Sequence, residues 1–155
     1  MPEARLLLVE DEIDQRKIVA GILRGEGYSV AETGSVDAAL AELAASPVDL
    51  VLSDWKLPGR DGTELLAEVK ARFPETGFLM ATAYGTLAHA VAAVRAGADD
   101  YLTKPFERAA LLLAVERTLR ARRLADENRR LSEEVRDRDR LVDLVGKSPS
   151  MEKLY

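Results

Sequence analysis

Short apolar runs alternate with amphipathic stretches along roughly the first 118 residues of the chain. The apolar runs are Leu6–Val9, Tyr28–Ala31, Val48–Leu52, Gly77–Ala81 and Asp100–Leu102. Between and after them, apolar residues recur with helical spacing near 13–25, 35–45, 62–73, 86–96 and from 106 onward. Apolar runs this short, separated by helical patterns, are typical of buried strands in a parallel sheet. The strict alternation therefore predicts an α/β domain with helices on both faces of the sheet.

Candidate helix ends fit the same alternation. Ser35 stands where it can cap the second helix, and Asp61 followed by Glu64 has the spacing of a capping box for the third. Gly27 and Gly97 stand where the first and fourth helices have to end. Because crossovers between parallel strands are right-handed, few topologies remain for five such units.

The amino-acid composition limits the type of core and the kinds of binding site that this domain can have, but it does not assign a function. Apolar residues make up 47% of the chain and aromatic residues only 5%, so the core has to be mainly aliphatic. A net charge of -5 gives no general signal for nucleic-acid binding, and the absence of cysteine excludes disulfides and thiolate metal sites. No apolar stretch approaches the roughly 20 residues of a membrane helix. The opening Met-Pro-Glu-Ala-Arg leads directly into a strand, so we expect no signal peptide and a cytoplasmic location.

Charged and polar side chains follow several of the apolar runs. Glu10 and Asp11 follow the first run, Asp54 closes the third, Thr82 ends the fourth, and Lys104 comes directly after the fifth. The carboxyl ends of parallel strands lie at one edge of the sheet, so these residues should come together there. Charges placed at the ends of buried strands are costly unless they meet one another or a metal. This edge is therefore the predicted functional site.

Three carboxylates and an amine at one edge favour metal-assisted phosphoryl chemistry. Repulsion between close carboxylates is relieved by a hard divalent cation, and oxygen ligands together with phosphate oxygens suit Mg²⁺. A carboxylate can also attack phosphorus to give an aspartyl-phosphate, for which Asp54 is the best candidate because it stands alone at its strand end. Lys104 could neutralise phosphoryl oxygens. Taken singly, each of these residues is more often a cap, a turn or a surface group, so the prediction depends on their joint placement.

This set of residues resembles the receiver domain of bacterial two-component response regulators over residues 4 to about 118. The resemblance places the acidic pair at Glu10 and Asp11 and the phospho-acceptor at Asp54. It assigns the metal-binding main-chain carbonyl to Lys56 and the switch pair to Thr82 and Tyr101. It also implies that the peptide bond between Lys104 and Pro105 is cis. Glu10 departs from the aspartate that many members have, and one carboxylate is retained there.

The resemblance implies a fold, a mechanism and a partner. The fold is a flavodoxin-like, doubly wound (βα)5 sheet with strand order 2-1-3-4-5. A sensor histidine kinase would donate a phosphoryl group to Asp54 with Mg²⁺ bound, Thr82 would move inward, and Tyr101 would rotate into the space left. The surface formed by helix four, strand five and helix five would then change its binding preference.

A different composition begins near residue 118, which we take as the end of the receiver domain (1–118). From Glu107 to Val145 there is no Gly or Pro, and the stretch is rich in Arg, Asp and Glu. The same stretch also contains a heptad repeat of mostly apolar residues, with one asparagine at its centre. The residues of this repeat are Ala121, Leu124, Asn128, Leu131, Val135 and Val142. An asparagine at such a position can fix the register of a two-stranded coil. The pattern predicts a coiled-coil linker over 119–143, continuous with the last receiver helix; a single solvated helix is the alternative.

The last stretch, 144–155, returns to turn residues before the chain stops at Tyr155. Gly146-Lys147-Ser148-Pro149-Ser150-Met151 resembles the opening of the AAA+ ATPase domain in NtrC-type activators, which work with the enhancer-dependent sigma factor. The sequence therefore reads as part of a longer protein. It contains no phosphate-binding loop of the G-x-x-x-x-G-K-[ST] kind and no basic helix-turn-helix, so we expect neither ATP nor DNA binding by these residues.

Together these patterns predict a phosphorylation-dependent signalling module rather than an enzyme that turns over substrate. Its expected partners are a sensor kinase, a second copy bound through the helix 4–strand 5–helix 5 surface and the linker helix, and, in the whole protein, the ATPase domain and sigma factor–RNA polymerase. Such a dimer could repress ATPase assembly, which the heptad pattern favours, or the receiver could assist assembly.

A haloacid-dehalogenase-type phosphatase is the alternative enzyme, but it needs an aspartate where Lys56 stands. A stand-alone receiver is the third interpretation, which the residues after 118 disfavour.

Overall fold

The computed structural model describes residues 4–83, 86–105 and 107–145, with side chains described as far as residue 131 except for 126 and 129. Strands and helices alternate along the described chain. The strands are Arg5–Val9 (β1), Ser29–Thr33 (β2), Leu50–Asp54 (β3), Gly77–Thr82 (β4) and Asp100–Thr103 (β5). The helices are Ile13–Gly25 (α1), Val36–Ala45 (α2), Gly62–Arg72 (α3), Leu87–Arg95 (α4) and Arg108–Val145 (α5).

All five strands are parallel, and their order across the sheet is β2-β1-β3-β4-β5. This topology confirms the predicted doubly wound fold. In the register of the sheet, Val9 lies opposite Ser53 and Asp54 lies opposite Ala81. The carboxyl ends of β1, β3 and β4 are thereby aligned at one edge.

The core consists of two aliphatic layers, one on each face of the sheet. Alternate residues of β1 serve opposite layers: Leu6 and Leu8 pack beneath α1 and α5, whereas Leu7 and Val9 pack beneath α2, α3 and α4. Phe78 in β4 is fully buried in the second layer. Because both faces are covered, the strands can be apolar throughout, which is the pattern that the sequence shows.

The predicted side-chain caps at Ser35 and Asp61 are confirmed, but the reciprocal contact of the capping box is not formed by Glu64. The Ser35 hydroxyl accepts a hydrogen bond from the main-chain N–H of Ala38 at 3.2 Å. The Asp61 carboxylate accepts from the N–H groups of Thr63 at 3.1 Å and Glu64 at 3.3 Å. The Glu64 carboxylate, which a reciprocal capping box would turn towards Asp61, accepts a hydrogen bond from Arg60 Nε at 3.0 Å.

Two glycines end helices as predicted. Gly27 follows α1 with a φ of 98°, and Gly97 follows α4 with a φ of 111°. Both values lie in the left-handed region, where a Cβ is unfavourable and glycine is the usual residue after a helix.

The chain divides into two units, Met1–Arg122 and Arg123–Tyr155. Within the first unit, Arg122 donates from its guanidinium to the Thr76 carbonyl at 3.4 Å and lies 3.4 Å from the Asp99 carboxylate. None of the helices in the described part of the chain combines the length and apolar character that crossing a membrane requires.

The predicted heptad residues can be followed as far as their side chains are described. Leu124 and Leu131 are exposed, at 55% and 58%, and Ala121 and Asn128 are exposed as well. Val135 and Val142 belong to α5, but their side chains lie outside the described part, as do residues 146–155. Exposed leucines in a single chain fit both a seam that pairs with a second copy and a solvated helix, so the pairing stays a prediction, as do the boundaries 1–118, 119–143 and 144–155.

Candidate functional site

Three carboxylates from two neighbouring strands meet at the carboxyl edge of the sheet. Glu10 and Asp11 follow the end of β1, and Asp54 is the last residue of β3. Oxygen atoms of the three side chains all lie within 4.8 Å of one another. Glu10 is buried, Asp54 is half-buried and Asp11 is exposed. This cluster offers oxygen ligands only, which suits a hard divalent cation.

Lys104 joins this cluster from the far side of β4. Its ammonium donates to Glu10 Oε1 at 2.7 Å and to Asp54 Oδ2 at 3.1 Å. The residue lies just beyond β5, where its main-chain N–H donates to the Thr82 carbonyl at 2.7 Å and its peptide bond to Pro105 is cis. Residues 94 positions apart along the chain are thus in direct contact.

The electrostatics of the cluster follow from its partial burial. Burial raises the pKa of Glu10, and the charge of Asp54 adds to the rise, while hydrogen bonds from Lys104 and the main-chain N–H of Glu12 oppose it. Burial alone would lower the pKa of Lys104, but hydrogen bonds and charges from Glu10 and Asp54 outweigh burial and raise it. The lysine is therefore held protonated, and a partly desolvated acidic cluster attracts any further cation that can reach it.

An open cleft of about 980 Å³ leads to these groups. Its lining includes all of the predicted ligands and the lysine, namely Glu10, Asp11, Asp54, Lys56 and Lys104. Lys56 is exposed at the rim, in the loop after β3. The volume of the cleft is sufficient for a phosphoryl group together with a hydrated cation.

The two predicted switch residues lie away from the cleft lining. Thr82 ends β4 and is completely buried, and the described residues that line the cleft do not include it. Tyr101 lies in β5 opposite Met80, is half-buried, and packs against the core layer beneath α2, α3 and α4. The structure therefore places Thr82 on the strand next to β3 and Tyr101 on the edge strand beyond it.

Trp55, for which the sequence gives no role, connects the end of β3 to α4. Its ring meets the His89 ring edge-to-face, with ring centroids 5.0 Å apart and an interplanar angle of 75°. His89 lies in the first turn of α4, where its Nδ1 contacts the Thr86 hydroxyl at 2.6 Å. No pattern in the sequence signals this contact, because an aromatic residue after a strand and a lone histidine on a helix both have many uses.

Gly62 was also missed by sequence reasoning and constrains the geometry at Asp54. A Cβ at this position would overlap the main-chain oxygen of Asp54, and it would lie 3.1 Å from Met80 Sδ and 3.1 Å from Trp55 Cα. The N–H of Gly62 donates to the Trp55 carbonyl at 2.7 Å. The start of α3 is thus in van der Waals contact with the end of β3, and only glycine allows so close an approach.

Residues 6–116 match the response regulator receiver domain family. The chain belongs to this family, and the acidic pocket at which receiver domains bind Mg²⁺ corresponds to the cluster of Glu10, Asp11 and Asp54. The receiver domain is a regulatory domain of response regulators.

Several known regulators are similar to most of the chain. The nitrogen assimilation regulatory protein NtrX of Azorhizobium caulinodans is 39% identical over 96% of the chain, and the C4-dicarboxylate transport regulator DctD of Rhizobium meliloti is 34% identical over 96%. The matched part is 32% of the length of each, so the chain spans about a third of these relatives. NtrX, DctD and ZraR are NtrC-family regulators, which confirms the subfamily predicted from the sequence.

Solved structures agree with this assignment. A crystal structure of NtrX from Brucella abortus in complex with ADP superposes with a TM-score of 0.80 at 39% identity, over 83% of this chain and 30% of the other. A receiver domain protein from Methanospirillum hungatei superposes with a TM-score of 0.75 at 32% identity, over 79% of this chain and 98% of the other. The second comparison shows that the receiver part alone corresponds to an entire known chain.

Proposed function

We propose that this chain is the phosphoryl-accepting control module of a longer NtrC-type transcription regulator that acts in the cytoplasm, and that Asp54 is its acceptor. The observation that carries the proposal is the three-carboxylate cluster of Glu10, Asp11 and Asp54 at one edge of the sheet, with Lys104 hydrogen-bonded to two of its members, Glu10 and Asp54. A carboxylate nucleophile beside a fixed ammonium and two further acids has the groups that phosphoryl transfer needs.

In the proposed reaction, an Asp54 carboxylate oxygen attacks the phosphorus of a phosphohistidine on a sensor kinase. The new O–P bond forms as the P–N bond breaks, and its electron pair returns to the kinase imidazole. Bound Mg²⁺, held by Glu10, Asp11, Asp54 and the main-chain carbonyl of Lys56, would neutralise charge on the phosphoryl oxygens. Lys104, whose raised pKa keeps it protonated, would pair with another phosphoryl oxygen.

The proposed signal leaves the site through Thr82 and Tyr101. Thr82 would turn its hydroxyl towards the phosphoryl group, and Tyr101 would move into the space that this leaves. Support for an output surface comes from α4, whose Leu87, Val91 and Val94 expose 79%, 41% and 57% of their surface. Exposed apolar residues on one helix are typical of a partner-binding face.

Labelling with a small-molecule phosphodonor tests the acceptor function directly. Acetyl phosphate with Mg²⁺ should add one phosphoryl group per chain, and the bond should be labile in acid and cleaved by hydroxylamine, as an acyl phosphate is. Intact-mass spectrometry measures the adduct, and a parallel reaction with EDTA is the control. Incorporation that is equally fast without divalent metal would contradict the proposed Mg²⁺ site.

We further propose that the module works as a dimer, through the α4–β5–α5 surface and the linker helix. In the whole protein this dimer would hold the AAA+ domains apart until phosphorylation rearranges it, and the ATPase would then act on sigma factor–RNA polymerase. The exposed Leu124 and Leu131, spaced one heptad apart on α5, support the pairing of two linker helices. The opposite arrangement, in which the receiver assists ATPase assembly, predicts dimer formation only after phosphorylation.

Sedimentation velocity with and without beryllofluoride, a phosphoryl mimic, distinguishes these arrangements. The chain at tens of micromolar should sediment as a dimer without the mimic and with altered shape or mass in its presence. Replacing Leu124 and Leu131 by glutamine should shift the protein towards monomer. The matched control replaces Arg123 and Arg130, exposed residues one position earlier, by glutamine and should leave the dimer in place. A monomer under both conditions would reject the dimer.

A further inference from the structure

Arg16 in α1 connects the acidic loop to the half-buried Glu32 carboxylate on β2. Its Nη1 donates to the main-chain carbonyl of Glu10 at 2.9 Å, and its Nε lies 3.4 Å from Glu32 Oε1. Both side chains are largely enclosed, with 18% of Arg16 and 12% of Glu32 exposed. The guanidinium is therefore held to the Glu10 main chain by a hydrogen bond and to Glu32, on the adjacent strand, by an ion pair without hydrogen-bond geometry.

Gly34 leaves the space through which this guanidinium passes. A Cβ on Gly34 would lie 2.9 Å from Arg16 Nη1 and 3.8 Å from both the Asp11 Cα and the Glu10 carbonyl oxygen. The φ of Gly34 is not positive, so the backbone at this position would accept alanine. A methyl group at this position would therefore displace the end of the flexible Arg16 side chain rather than strain the backbone.

Glu32 itself is held in its charged form. Burial of the Glu32 carboxylate opposes ionisation, but hydrogen bonds and charges from Arg24 and Lys17 outweigh burial and lower its pKa. Arg24 Nη1 lies 2.9 Å from Glu32 Oε2, and Lys17 Nζ lies 3.3 Å from Oε1. Glu32 thus attracts three cationic side chains of α1, of which Arg16 also contacts the Glu10 main chain.

We propose that Arg16 is a positioning residue for the metal site, acting through the Glu10 carbonyl to fix the loop that directs the Glu10 and Asp11 carboxylates. The inference rests on the proposed function, because it takes Mg²⁺ as the ligand of that loop. A fixed loop binds a cation more tightly than a loop that the cation has to order, and groups that orient metal ligands commonly account for 10- to 100-fold in affinity.

Arg24 provides a matched comparison. It stands on the same helix and pairs with the same carboxylate, but its second hydrogen bond goes to the Val30 carbonyl in β2, at 2.7 Å. Loss of either arginine removes one cation from Glu32. Only loss of Arg16 releases the Glu10 carbonyl.

Mg²⁺ titration of the whole chain tests the proposal, with Trp55 fluorescence as the readout and calorimetry as a second measurement. Trp55 is the single tryptophan of the sequence and directly follows Asp54, so a cation at the cluster should change its emission. Arg16→Gln should raise the Kd for Mg²⁺ about tenfold. Gly34→Ala, which retains every charge but displaces the guanidinium, should change it in the same direction, whereas Arg24→Gln should leave it unchanged.

The outcomes separate this inference from the proposed function. If wild-type protein does not bind Mg²⁺, or if Asp11→Asn does not abolish the binding, both the inference and the proposed function are overturned. Normal wild-type binding, with equal Kd values for Arg16→Gln and Arg24→Gln, would overturn the inference alone and leave Arg16 as a structural residue. Thermal melting in EDTA checks that the two variants lose comparable stability. If Arg16→Gln does not fold, Gly34→Ala decides: an unchanged Kd in that variant would overturn the inference.

Discussion

Replacing Asp54 by asparagine should abolish phosphoryl incorporation from acetyl phosphate while leaving the fold in place. The amide has the shape of the carboxylate but is not a nucleophile towards phosphorus. Lys104 loses one of its two carboxylate partners in this variant and retains the shorter contact to Glu10, at 2.7 Å. We therefore expect a complete loss of the adduct by intact-mass spectrometry, with an unchanged circular dichroism spectrum.

Asp14→Asn is the matched control for this experiment. Asp14 also lines the cleft, as an exposed acid in the first turn of α1, but it does not belong to the three-carboxylate cluster. The control variant should label to the same extent as the wild-type chain. Labelling that survives in Asp54→Asn would place the acceptor at another residue and would remove the basis of the proposed mechanism.

Gly62→Ala is expected to damage both stability and phosphorylation. The added methyl group would overlap the Asp54 carbonyl oxygen, so either the start of α3 or the end of β3 has to shift. Overpacking of this kind typically costs about 1–3 kcal/mol in the free energy of unfolding. Because the displaced atoms belong to Asp54 and Trp55, we also expect a lower initial rate of labelling. Urea denaturation and a labelling time course measure the two effects.

Gly21→Ala separates the packing effect from the general effect of alanine in a helix. Gly21 lies in the interior of α1, and a Cβ there would have no atom within 4 Å apart from the neighbouring backbone of its own helix. Alanine should therefore stabilise that helix by roughly 0.5–1 kcal/mol. Equal stability of the two alanine variants would show that α3 adjusts without cost, contrary to the close contact at Gly62.

The fold and the four-residue cluster could be predicted because both depend on short-range patterns. Each apolar run predicts a strand, and four of the five runs are followed or closed by a charged or polar candidate residue. Parallel strands align these ends, so Glu10, Asp11, Asp54 and Lys104 are brought together by topology rather than by detailed packing. The alignment of strand ends in a parallel sheet is therefore enough to predict that residues far apart in the sequence lie close together in space.

The supporting contacts could not be predicted, because they depend on where individual side chains point. An arginine in an amphipathic helix usually faces solvent, yet Arg16 turns inward to the Glu10 carbonyl. A glycine after an aspartate usually indicates a turn, yet Gly62 is required by the approach of two backbones. The contact between Trp55 and His89 joins segments whose distance is set only by the packed fold.

Helix α4 is attached to the domain by little apolar surface. Ala93 is its one buried residue, whereas α1, α2 and α3 each bury three or four. Segments with few buried contacts open locally at a small fraction of the free energy of global unfolding. We therefore expect α4 to shift at low cost in free energy, so a ligand that favours a second placement by only a few kcal/mol would redistribute the populations. If Asp54 accepts a phosphoryl group as proposed, weak anchoring of α4 would let that small chemical change alter the exposed face of the helix.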